Sequence, residues 1–183
     1  MIKKSAKTYL TGFIMGVMIS AVLLKTFPSI YYAFTEALAK KLEIQQKIIP
    51  SLPLMLIANN ILASLICAFG GYFFVKIYLK RDIKRPNLYH ITLSIFPIFV
   101  LFTSGFVLGA FLPPFIKDLA SYFSLLLPHG IFELPATILS GSIGFDIAGV
   151  SPQIIDSIKI FEERIDYMLK SKMGEYKVVL ILI

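Results

Sequence analysis

The chain has 183 residues, of which 57% are hydrophobic, 14% aromatic and only 16% charged. Soluble domains carry about 25% charged residues, so this composition excludes an ordinary soluble domain and points to a membrane protein. The formal net charge of +7 gathers at the ends of apolar stretches, which marks membrane-flanking loops rather than a nucleic-acid-binding face.

Lys3, Lys4 and Lys7 precede an apolar stretch over residues 9–27. That stretch exceeds the ~7–15 residues of a signal-peptide core, and no small-x-small cleavage site follows, so it reads as an uncleaved first span. The next connector repeats Ile30, Phe34, Leu38 and Leu42 at helical spacing, with Tyr31 and Tyr32 beside the span's end. The pattern predicts an amphipathic helix over about 29–48 in the outer interface, its tyrosines at headgroup depth. Such a helix either caps the bundle or offers a docking surface.

A second apolar stretch covers residues 52–79 and is interrupted by Asn59 and Asn60. It holds Cys67, the single cysteine, so neither an intrachain disulfide nor a thiolate metal cluster can form. The basic connector KIYLKRDIKRPN follows, with Lys76, Lys80, Arg81, Lys84 and Arg85. A third stretch, residues 88–112, has Pro97 near its middle, which predicts a kink. The fourth stretch covers 122–149, with Pro128 as an alternative start. A span needs about 20 mainly apolar residues at ~1.5 Å of rise each, so all four qualify.

Residues 152–173 place Ile154, Ile158, Phe161, Ile165 and Met168 on one stripe, with Lys159, Glu162, Glu163, Asp166 and Lys170 largely opposite. Ser151 suits an N-cap, Pro152 a first helical position and Gly174 a stop. The segment predicts a cytoplasmic amphipathic helix, read as a solvated surface helix ahead of a partner-binding one. The closing KVVLILI, residues 177–183, reaches only ~10 Å, so it tucks into the interface or begins a partial fifth span. The fold class is therefore all-α. A single polytopic transmembrane helix bundle occupies residues 1–183, with four full spans, a partial fifth and interfacial amphipathic helices.

The N-terminal tail and the connector after the second span are both basic, whereas residues 113–121 hold only Lys117 beside Asp118. An even number of crossings separates the two basic regions, so both face the cytoplasm by the positive-inside rule. Lys40, Lys41 and Lys47, against Glu36 and Glu43, weaken that assignment without reversing it. The expected location is the cell (plasma) membrane, multi-pass, with a cytoplasmic N-terminus.

Chemistry concentrates in PHGIFELPATILSG, residues 128–141, where His129 and Glu133 lie four apart. On a helix that spacing puts both on one face. An ionisable group in hydrocarbon costs at least ~2.5–3.5 kcal/mol, so the pair needs a partner or a water-lined cavity. Asn59 and Asn60 fall at an overlapping depth, and one or the other is expected to meet that face across a helix interface. Three readings compete: a structural polar network, a proton or ion relay, and a catalytic or metal centre. The zinc motif HExxH is absent, and two protein ligands fall short of the three a catalytic zinc takes. His90 lies on the cytoplasmic side, and Ser140 and Ser142 have no histidine in reach. No enzyme activity, cofactor or metal is expected. The glycines point to close helix packing: Gly12 and Gly16, Gly105 and Gly109, Gly70 and Gly71, Gly141 and Gly144.

Two blocks carry a family likeness. LPHGIFELPATILSG, residues 127–141, resembles the HGxxE signature of the stage II sporulation protein M family, and LIANNILASLICAFGG, residues 56–71, resembles its paired-asparagine span. The resemblance extends from the first span to the late amphipathic segment. It implies signature positions at His129, Gly130 and Glu133, with Asn59 and Asn60 in support. It also implies a membrane scaffold that, in spore formers, gathers peptidoglycan-degrading enzymes at the engulfing membrane. A complete last span would be expected after Lys177, where this sequence has only KVVLILI. The expected partners are the lipid bilayer and other membrane or cell-envelope proteins, not nucleic acid, with a homo-oligomer left open. The alternative function is a small proton- or ion-coupled transporter or channel using the same polar site.

Overall fold

The computed structural model describes residues 1–48, 52–83, 85–150 and 158–172; side chains are not described at 38, 39, 41–43, 45, 46, 48, 52–57, 86 and 125–132. The expected N-cap at Ser151, the stop at Gly174 and the apolar tail 177–183 therefore lie outside the described residues. Among the described residues, six helices follow one another: α1 (Ile2–Thr26), α2 (Pro28–Ile48), α3 (Leu52–Lys80), α4 (Pro86–Ala110), α5 (Leu119–Ala148) and α6 (Ile158–Ser171). A 3-10 turn, Pro113–Phe115, links α4 to α5. Among the described residues the chain is all-helical, and three stretches are long and apolar enough to cross a membrane: Ile2–Thr26, Ala58–Lys80 and Asn87–Phe115.

The most extensive helix pair is α1 with α4. Their contact is glycine on backbone, repeated four times. A Cβ added to Gly12 or Gly16 would lie 2.2 Å from the carbonyl oxygen of Phe102 or Phe106. One added to Gly105 or Gly109 would lie 2.1 Å from that of Tyr9 or Phe13. Each glycine thus points a Cα–H at a carbonyl of the facing helix, the weak hydrogen bond that recurs where helices touch without side chains between them. Lipid supplies no hydrophobic drive between helices, so this close approach is what small residues contribute. Ser5 and Ser20 extend the same buried face of α1.

Ascending contacts on α1 meet ascending contacts on α4, so the two helices run parallel. Against α4, α3 runs antiparallel: Gly71 packs on Leu93, Gly70 on the Phe96 ring, and the Cys67 thiol faces the Pro97 carbonyl at 4.0 Å. Pro97 has no N–H to donate to Leu93, and Gly71 settles on α4 at that interrupted turn. Helix α5 also opposes α4, with Gly141 against Leu101 and Gly144 against Pro97 and the Cys67 carbonyl. The N-terminal lysines, Arg81 and Arg85 consequently gather at one end of the bundle. There the chain reverses from α3 to α4 through Asp82, whose φ of 53° lies in the left-handed region. The Tyr89 hydroxyl braces this turn by donating to the Ile83 carbonyl.

At the opposite end, two tyrosines close α4. The last carbonyls of a helix have no partner within it. Tyr31 of α2 donates its hydroxyl to the Ala110 carbonyl at 3.3 Å, and Tyr122 of α5 donates to Leu108 at 2.9 Å. This decides which face of α2 turns inward. Along this helix Ile30 and Tyr32 face outward, while Tyr31 is 2% exposed. A hydrogen-bonded aromatic outcompetes an aliphatic at this seat because the seat contains a free carbonyl. Burial, with Tyr32 adding to it, pushes the Tyr31 phenol above its ordinary value, so it stays a donor.

Helix α6 docks across the end that carries the basic turn. Phe161 and Ile165 are buried in a cluster with Val75, Tyr89, Leu93, Ile147 and Ala148. The Phe161 ring stacks on Tyr72 at 5.4 Å between centroids. Lys76 pairs with Glu162 at 2.5 Å, and Lys172 with Asp146 at 2.5 Å.

Candidate intramembrane polar site

Helix α5 is fixed at its start by Asp118, whose carboxylate accepts the Ser121 amide at 3.1 Å and also the Ser121 hydroxyl. These two hydrogen bonds hold the Asp118 carboxyl below the usual carboxylate range. From that cap the helix runs unbroken for 30 residues, passing through Pro128 and Pro135. Pro128 is therefore an interior residue of the helix rather than its beginning. The early start places Glu133 at the midpoint of α5, deeper than a start at residue 122 or 128 implies.

Glu133 is half-buried on α5. The Tyr9 phenol of α1 lies within electrostatic reach of both Glu133 and Tyr122. Tyr9 itself packs beside a buried cluster of Cys67, Val100, Leu101 and Phe145, against which Ala63 of α3 also rests. The Glu133 carboxyl, the Tyr9 phenol and the α3 residues beside Tyr9 thus draw on three helices, while the Tyr122 phenol lies towards the end of α4, where it donates to Leu108. A tyrosine buried in apolar surroundings brings a polar end that needs a partner, which is why Tyr9 belongs to this centre. Sequence reading counted Tyr9 only as the edge of the first apolar stretch. The signal was a phenol facing along the same buried side as Gly12 and Gly16.

The two asparagines part company. Asn60 is half-buried, whereas Asn59 is exposed on the outside of α3. With Cys67 seated on Gly144, the same offset carried back along the two parallel helices sets Asn60 level with Thr137, one turn from Glu133. Neither asparagine forms a hydrogen bond with a described residue. His129 and Gly130 lie on α5 one turn before Glu133, and their side chains fall outside the described set. Ser140 donates its hydroxyl to the Ala136 carbonyl of its own helix at 2.8 Å. His90 is exposed at the end of α4 with the basic turn.

A second polar position was not anticipated. Asp146 sits two residues before the end of α5 with its side chain only 7% exposed, paired to Lys172. At the neighbouring Phe145, the Lys4 ammonium of α1 lies 4.1 Å from the ring centroid. An isolated aspartate closing an apolar run reads simply as a helix end, and its partner is 26 residues away. No sequence spacing connects them. Among the described residues, no three histidine, cysteine, aspartate or glutamate side chains converge as a metal site would require.

An all-helical bundle with membrane-length apolar helices, aliphatic residues on its outer surface and polar groups turned inward defines a membrane-embedded helical protein. The chain belongs to the stage II sporulation protein M family, whose family model matches residues 5–181. Neither the curated proteins nor the solved structures yielded a match.

Proposed function

We propose that this chain is a non-enzymatic, multi-pass scaffold or assembly protein of the cell membrane, built around a polar interhelical centre at Glu133. The observation that carries the reading is the reciprocal seating of four glycines on carbonyls between α1 and α4. Alternating access needs helices or repeats that rock against one another. Two helices in backbone contact along their facing sides form a rigid frame instead, which suits holding other proteins in place. Membership of the family supports the same reading, since the resemblance implies a scaffold.

In this reading α5, at 30 residues, is the fourth span beside the three others, and residues 177–183 start a fifth. The basic end, with Lys3, Lys7, Arg81 and Arg85, faces the cytoplasm by the positive-inside rule. Glu133, His129 and Gly130 then lie inside the bilayer with Tyr9 and Asn60, where the polar centre holds α1, α3 and α5 in one arrangement. In this reading a carboxyl group at that depth is tolerated because the Tyr9 phenol lies within its electrostatic reach.

Reconstitution separates this from ion transport. Purified protein in liposomes is expected to give the same proton and cation flux with or without Glu133→Gln. Membrane proteins co-purified from native membranes are expected to be lost in Glu133→Gln. A flux that depends on Glu133 would replace the scaffold with the transporter.

A further inference from the structure

The basic residues at one end of the bundle lie at two depths. The Lys4 ammonium sits beside Phe145 of α5, whose neighbour Gly144 packs on Pro97 of α4, so Lys4 is level with Pro97. The glycine seats give the same register, with Gly12 against Phe102 and Gly105 against Tyr9. From Lys4 to Lys25, both exposed, α1 rises about 31 Å, the thickness of a hydrocarbon core. These two lysines therefore mark the edges of the bilayer. Helix α5 ends at Ala148, about one turn beyond the first edge, whereas α4 reaches a further ~16 Å past it to Pro86. A headgroup layer adds only about 5–8 Å. The turn that joins α3 to α4 consequently stands clear of the headgroups, in water.

That turn is built to keep its shape. The Ile83 amide donates to the Tyr78 carbonyl at 3.0 Å and the Asp82 amide to Leu79 at 3.1 Å. These are the paired bonds that close a helix around a left-handed residue, here Asp82. Pro86 then opens α4, and the Tyr89 hydroxyl holds the Ile83 carbonyl. Residues 80–85 carry four basic side chains against one acid. Lys80, Arg81 and Arg85 are exposed and, among the described residues, enter no ion pair. By contrast, Lys76, Lys159, Lys170 and Lys172 are each matched by an acid. We infer that this braced basic turn docks an acidic segment of a water-soluble protein, its carboxylates clasped by the Arg81 and Arg85 guanidiniums. A planar guanidinium suits the paired oxygens of a carboxylate. A phospholipid headgroup fits less well, because the turn stands beyond that layer. The surface is separate from the polar centre at Glu133, so neither reading stands or falls with the other.

The test uses the full chain in nanodiscs of zwitterionic lipid. In a Cys67→Ala background, a nitroxide at Arg81→Cys is expected to be reached by a water-soluble relaxation agent, while one at Lys3→Cys reports headgroup depth. A fluorescent polyglutamate peptide is then added at physiological salt, where screening acts over ~8 Å. The peptide is expected to bind, and Arg81→Gln combined with Arg85→Gln to weaken binding about 2- to 30-fold. Lys3→Gln combined with Lys7→Gln is expected to leave it unchanged. Absence of binding overturns the proposal, as does equal binding by wild type and the double arginine variant, or an equal loss in the double lysine variant. Equal depths at positions 81 and 3 overturn it too, by placing the turn among headgroups and making an anionic lipid its ligand.

Discussion

The α1–α4 interface and the docking of α6 hold the same molecule together by opposite means. Between α1 and α4 the contact is backbone on backbone, seated at four glycines with no side chain to rearrange. Between α6 and the bundle it is two buried side chains, one ring stack and two ion pairs that remain partly exposed. The first kind cannot open by degrees, since any Cβ or any slippage meets a carbonyl oxygen. The second can be released one side chain at a time. Local opening follows the amount of apolar surface and buried backbone a segment shares with the rest. The comparison therefore divides the protein into a fixed membrane frame and a detachable helix at its basic end.

Breaking the frame should have the largest effect. Gly12→Ala or Gly105→Ala is expected to cost about 1–3 kcal/mol through overpacking. The penalty should persist although alanine favours a helix by about 1 kcal/mol over glycine. Gly149→Ala is the contrast. Its added Cβ would come no closer than 3.3 Å to a neighbour, the carbonyl of Asp146, and φ there is −75°. It should change stability far less, as read by detergent-driven unfolding in mixed micelles.

Releasing the detachable helix comes next. Phe161→Ala removes the Tyr72 stack and empties a fully buried seat. Truncations of this kind cost about 3–5 kcal/mol in a closed core. Here α6 should instead undock, so that its amides exchange at least ~10-fold faster while unfolding of the membrane frame hardly changes. Asp146→Asn should loosen the same helix more weakly, by about 1 kcal/mol, because Lys172 keeps access to solvent. Faster exchange confined to α6 would be the readout.

The smallest effect concerns the cap of α5. The Asp118 carboxyl is held below its usual range by Ser121, so ionised Asp118 supports the helix start at neutral pH. That contribution is present above the ordinary carboxylate range. It is lost as pH falls through the lowered value in the folded protein. Protection of the Ser121 amide, corrected for intrinsic exchange, should therefore fall only in strong acid, and at every pH in Asp118→Ala.

Helical class and membrane character were legible in composition and apolar length, because those depend on the chain alone. Partner choice was not. The spacing of Gly12, Gly16, Gly105 and Gly109 announced close contact, yet nothing local said that the first pair would seat on the second pair's helix. The pattern set Tyr31 and Tyr32 together beside the end of the first span, and the free carbonyl of Ala110 turned only Tyr31 inward. Pro128 offered an alternative to a helix start near residue 122, but the Asp118 cap begins the helix at Leu119, nine residues before that proline. At the polar centre, Glu133 stood out as an acid in apolar sequence. Tyr9 did not, since its relation to Glu133 exists only once α1 and α5 are side by side.

Hydrogen exchange of the intact protein in lipid nanodiscs tests the division into frame and detachable helix most directly. Amides of α1 and α4 around Gly12, Gly16, Gly105 and Gly109 should stay protected for hours, while those of α6 between Phe161 and Lys170 exchange far sooner. Equal protection of α6 and the glycine-seated pair would contradict the account.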